Sequence, residues 1–216
     1  MKQTNRDRCV LGIDPGLAST GYGIVISRKG RLVHVAHGHI ETSAALSHPE
    51  RLLAIHDEIT RIITTWHPDE AGMETLFFSR NVSSAMGVAE ARGVLTLALA
   101  QRGIPLGEYT PNCIKQAVVG VTRADKKQVQ AMVARILRLS EIPKPADAAD
   151  ALALALCHAW RGAPAVPAVA NGTGAAGAMG SGETPAMKAW REAERAAGPP
   201  RSVQSARRPA SLRVAP

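Results

Sequence analysis

Apolar residues follow two rhythms along this chain, one suited to strands and one to helices. Val10-Leu11-Gly12-Ile13 is an unbroken apolar run between Cys9 and Asp14, the pattern of a strand buried on both faces. Residues 21–27 and 32–42 are β-rich runs joined by Arg28-Lys29-Gly30, a hairpin signal. Ser47 followed by Glu50 forms a capping box, after which Leu52, Ile55, Ile59, Ile62 and Trp66 recur at helical spacing until Pro68. Residues 70–76 read as another strand, and residues 81–102 as a long helix stopped by Gly103. Residues 104–110 make a further strand and residues 111–119 a short helix. Residues 122–139 form an amphipathic helix opened by Thr122, and the last helix starts after Pro145. A meander of strands followed by strands alternating with helices predicts an α/β domain, a five-stranded mixed sheet flanked by helices.

Composition alters this picture only near Gly162. From there to Pro216 the chain is rich in Ala, Gly, Pro and Ser, with few large apolar groups to offset the entropy of ordering. Residues 1–161 are therefore expected to fold, and 162–216 to form a mostly disordered tail. The formal charge of +8 suits a polyanionic partner such as nucleic acid. The three cysteines, Cys9, Cys113 and Cys157, are far apart, sit among apolar residues and form no CxxC pair. They are expected to be buried reduced thiols in a cytoplasmic protein, not disulfides or a zinc site. "MKQTNRDR" has no apolar signal-peptide core, and no apolar run approaches the roughly 20 residues that span a bilayer.

Four acids stand where an acid is costly. Asp14 ends the first apolar strand, Glu74 lies in "GMETLFF", and Asp147 and Asp150 interrupt "ADAADALALAL", an otherwise apolar helix. Each has an ordinary reading. Asp14-Pro15-Gly16 is turn chemistry, Asp147 suits a helix first turn, and Glu74 suits an edge strand. Yet the i, i+3 spacing puts Asp147 and Asp150 on one helix face, continued by Leu154 and His158. Four such carboxylates meeting inside a domain would repel and partly protonate unless a cation were present. Hard oxygen donors without a His or Cys cluster favour magnesium or manganese over zinc. His158 has two readings, a packed group and a proton carrier.

The blocks "LGIDPGLASTGYGIV", "METLFF", "ARGV", "KQAVVG", "KKQVQAMV" and "DAADALALALCHA", in order over about residues 8–160, resemble the successive motifs of RuvC-type Holliday-junction resolvases. The resemblance implies an RNase H-like fold, a homodimer, and paired nicks in opposed strands of a four-way DNA junction during recombination and repair. It implies two divalent ions per site, magnesium with manganese able to substitute, and hydrolysis without a covalent intermediate that leaves 5′-phosphate ends. Asp14, Glu74, Asp147 and Asp150 take the family's metal-binding and catalytic positions. Phe77 matches an aromatic that stacks on an unpaired base, and Lys115 and Lys126 match phosphate contacts. Arg80, Arg123 and Lys127 are further DNA-contact candidates. The family also suggests a branch-migration motor of the RuvA and RuvB type as partner. Ser19-Thr20-Gly21 is a place where backbone can approach a phosphate, although Gly21 also suits the second strand alone. The helix over residues 85–100, with Ala89, Ala91 and Gly93, is the candidate dimer face. Rival readings are a related nuclease acting on another nucleic acid, a sugar-kinase or actin-like ATPase sharing "GIDPGLASTG", and a non-catalytic junction-binding module.

Overall fold

A computed structural model describes residues 7–75 and 82–162, with the side chains of residues 82–84 left aside. The chain divides into two units, residues 1–169 and 170–216, and every element described here belongs to the first. The strands are β1 (Arg8–Asp14), β2 (Ser19–Arg28), β3 (Arg31–Glu41), β4 (Glu70–Glu74) and β5 (Leu106–Tyr109). The helices are α1 (His48–Trp66), α2 (Val82–Gln101), α3 (Pro111–Val118), α4 (Lys126–Leu137) and α5 (Ala146–Arg161). The sheet order is β3-β2-β1-β4-β5. β1, β2 and β3 pair antiparallel, whereas β1–β4 and β4–β5 are parallel, so the sheet is mixed as its pattern predicts.

The period-2 alternation of β1 sorts the core into two layers. Leu11 and Ile13 pack with Ile55, Ile59 and Ile62 of α1 and Leu95 and Leu99 of α2 on one face. Val10 packs with Ile114 of α3, Val133 of α4 and Leu152 of α5 on the other. α5 is buried almost throughout, from Ala148 to Ala159, which explains its nearly continuous apolar run.

Several boundaries differ from the sequence pattern. α1 stops at His67, which takes the left-handed conformation (φ 46°) and donates its N–H to Ile63, before Pro68 can act. α4 is opened by Asp125 and not Thr122. The Asp125 carboxylate accepts from the Gln128 N–H at 2.8 Å, and the Gln128 side chain accepts from the Asp125 N–H at 3.0 Å. This reciprocal cap satisfies two otherwise orphaned donors and leaves Thr122 outside the helix. Cys9 and Cys113 are only part-buried, while Cys157 is fully buried; all three are free thiols. Among the described residues no helix is long and apolar enough to cross a membrane.

Candidate active site

The acids converge because of how strands and helix are layered. Asp14 is the last residue of β1, and Glu74 the last of the adjacent parallel strand β4, one step beyond the Ile13–Met73 pairing. Two carboxylates from distant parts of the chain thus emerge at the same end of the sheet, at the carboxyl ends of adjacent parallel strands, where sites commonly form. α5 then lies directly on the strand backbones. A Cβ at Gly12 would stand 1.9 Å from the Ala151 carbonyl oxygen, and one at Gly21 2.0 Å from that of Asp147. Only glycine permits this approach. Since Gly21 pairs with Asp14, the first turn of α5 is pressed over the strand end that carries Asp14.

Ligand oxygens of Asp14, Asp147 and Asp150 consequently lie within 4.8 Å of one another. Glu74 stands beside this triangle and not within it, yet its charge still acts on Asp14. Burial, followed by repulsion from Asp150, Glu74 and Asp147, pushes the Asp14 carboxyl up to about 7. Burial and then Asp150 also raise Glu74. The Lys126 ammonium lies 2.6 Å from Asp150 Oδ2, and that hydrogen bond holds Lys126 in its charged form. One lysine therefore faces several carboxylates, a charge imbalance that a divalent cation with oxygen ligands would relieve. The donor set fits magnesium or manganese, and Asp14, Asp147 and Asp150 are the residues placed to hold it.

Beside the acids is a recess of about 260 Å³, lined by the charged Glu74, Asp150, Lys115 and Lys126 and by the apolar Ile114, Val129 and Ala153. Lys115 and Lys126 thus share this recess with Glu74 and Asp150. Arg123 and Lys127 are exposed before and within the first turn of α4. Phe77 and Arg80 lie outside the described residues.

His158 is fully buried at the opposite end of α5 from Asp147, with Nδ1 2.9 Å from the Tyr109 hydroxyl and Nε2 3.4 Å from Glu70. That is the packed reading and not a proton carrier at the acids. Within Ser19-Thr20-Gly21, Thr20 Oγ1 donates to the Gly16 carbonyl at 2.6 Å, closing the Asp-Pro-Gly turn, and Gly21 admits α5. Ser19 Oγ donates to Asp147 Oδ2 at 2.6 Å. Arg92 donates to the Glu74 carbonyl and pairs with Glu108, bracing the end of β4. Sequence reasoning assigns Arg92 no role, although it sits in the "ARGV" block that carries part of the resemblance.

Comparison with known proteins agrees with this geometry. A model of the family "Crossover junction endodeoxyribonuclease RuvC" matches residues 10–158. The chain belongs to this family. It is accordingly an endodeoxyribonuclease, built on the RNase H-like fold. A relative from Treponema denticola is 54% identical over 148 residues, 68% of this chain and 83% of that protein. One from Leifsonia xyli is 48% identical over 192 residues, 86% of this chain and 91% of that protein. Among solved structures, Thermus thermophilus RuvC in complex with a Holliday junction substrate is 34% identical with a TM-score of 0.67. That match covers 71% of this chain and 93% of the Thermus one.

Proposed function

We propose that this protein resolves four-way DNA junctions as a homodimer, by metal-dependent hydrolysis of one phosphodiester in each of two opposed strands. The observation that carries this reading is the meeting of Asp14, Asp147 and Asp150 oxygens within 4.8 Å. Asp14, Glu74, Asp147 and Asp150 would hold the ions, with Asp14 central among them. Divalent ions held there would activate the attacking water and stabilise charge on the departing 3′ oxygen, leaving a 5′-phosphate. Magnesium is the proposed ion, with manganese able to replace it.

The chain's own residues supply position and charge. Asp14, burdened by its neighbours, gains most from a cation, which lets it ionise. Lys126 holds Asp150 and, with Lys115, offers positive charge at the mouth of the recess, where a phosphate can be neutralised. Arg123 and Lys127 extend that basic edge, and Phe77 and Arg80 are proposed to meet the crossover. Recognition rests chiefly on the bent junction backbone.

Two-fold symmetry explains paired cutting, because equal sites on a dimer axis meet equivalent strands. The dimer face we propose is the outer side of α2. Met86 and Leu97 expose 55% and 53% of their surface there, on a side shared with exposed Gly93. Ala91 is instead buried against the sheet and leaves that face. Residues 162–216 are proposed to be a separate tail, adding DNA affinity or contacting a branch-migration motor of the RuvA and RuvB type. The test is incubation of the purified protein with magnesium and a synthetic immobile junction. Symmetrical, ligatable nicks are expected. Equal cutting of linear duplex or RNA–DNA hybrid would overturn the junction assignment, and no cutting at all would overturn the nuclease mechanism.

A further inference from the structure

We infer that Ser19 is a positioning residue, whose hydroxyl sets the Asp147 carboxylate for cation binding; this rests on the metal-site reading above. Ser19 opens β2 and, two residues from Gly21, shares its face of the sheet. That face meets the first turn of α5, pressed so close that a Cβ on Gly21 would stand 2.0 Å from the Asp147 carbonyl oxygen. The same approach brings the Asp147 side chain over Ser19. Ser19 Oγ donates to Asp147 Oδ2 at 2.6 Å, the short separation of a bond to a charged acceptor.

Nothing within α5 substitutes for this contact. Its N-cap is Pro145, which offers no side-chain cap. Among the described residues Ser19 is the hydrogen-bond partner of the Asp147 carboxylate. An aspartate on a helix first turn has several rotamers open to it, and fixing one of its oxygens selects among them, with Asp147 keeping an oxygen within 4.8 Å of those of Asp14 and Asp150. The partner's chemistry matters as well. Asp150 is held by the cation Lys126, which orients it but also offsets its charge. Ser19 is neutral, so it orients Asp147 without diminishing its attraction for a cation. Residues that hold ligands in this manner commonly change metal affinity by roughly 10–100-fold when removed.

The test uses the full chain and needs no DNA. Manganese binding is followed by the electron paramagnetic resonance of the free ion, for the unaltered protein, Ser19→Ala and Ser19→Thr. Ser19→Ala is expected to weaken manganese binding about 10-fold, and Ser19→Thr, which keeps the hydroxyl, to stay within about threefold. On a synthetic junction, the magnesium concentration for half-maximal cutting should rise by the same factor in Ser19→Ala. The rate at saturating magnesium and the affinity for junction in the presence of calcium should remain near those of the unaltered protein. Melting in chelator reports whether each variant is folded. Unchanged manganese binding in a folded Ser19→Ala overturns the inference, as does Ser19→Thr behaving like Ser19→Ala. If the unaltered protein binds no manganese and cuts no junction, the metal-site reading itself falls, and this inference with it.

Discussion

β4 begins with Glu70 and ends with Glu74, and these two glutamates live in opposite electrostatic worlds. Glu70 lies 3.4 Å from His158 Nε2 and accepts from Arg8 at 2.7 Å, and these two neighbours, His158 first, hold its carboxyl below the ordinary range. Glu74, four residues on, is raised by burial and by Asp150. α5 repeats the contrast: its first turns carry Asp147 and Asp150, and its last turn carries His158, bound to Tyr109. One pole of the domain has matched its buried charges and the other has not. Matching is what a fold needs, because an unpaired buried charge is strongly destabilising. A pole left unmatched, while the same strand and helix are matched at their far ends, is reserved for something that arrives later.

Charge substitutions at the two poles have different expected consequences. The largest effect belongs to Asp14→Asn, which should reduce junction cutting by roughly 10³-fold or more while junction binding survives. Loss of both in a gel-shift and cleavage assay would make Asp14 structural. Next comes Glu70→Gln, which takes the carboxylate away from Arg8 and His158 and should lower unfolding stability by about 1–3 kcal/mol in urea titration. Cutting at saturating magnesium, measured well below the melting point, should change little.

The poles also predict opposite pH slopes. Asp14 is raised from 3.8 to about 7, so its contribution to stability is complete below about pH 4 and is lost as pH rises through 7. Glu70 is lowered, so its contribution is present above 4.5 and is lost as pH falls through its lower folded value. In metal-free melting, Asp14→Asn should therefore stabilise the protein by about 1–3 kcal/mol near pH 8 and by almost nothing near pH 4. Saturating magnesium should remove most of that difference. The smallest effect is expected at the rim: Lys127→Ala should weaken junction binding only about threefold, with a slightly shallower salt dependence. A loss matching Asp14→Asn would place Lys127 in the chemistry itself.

Much of this architecture is legible in the amino-acid order alone. The β and α periods locate every element, because core-facing positions repeat at 2.0 and 3.6 whatever lies opposite them. The acids are conspicuous because Asp14, Asp147 and Asp150 interrupt runs that otherwise read as core. What stays hidden depends on register across the sheet. No local pattern says that β1 and β4 run side by side, which is what sets Asp14 beside Glu74. Arg92 looks like any helix arginine until its guanidinium meets the Glu74 carbonyl. His158 continues the stripe of Asp147 and Asp150, yet eleven residues of helix carry it from Asp147 to the other pole. Thr122 loses the start of α4 to Asp125 because a carboxylate with Gln128 makes both halves of the cap.

The seam where α5 lies on Gly12 and Gly21 makes the spacing of the acids a matter of main-chain thickness. Main-chain atoms in contact have no rotamers through which to adjust. The gauge of the site is therefore stiff against side-chain fluctuation but defenceless against a single added carbon: one methyl group at either glycine would prise the helix from the sheet and part the carboxylates without touching any of them.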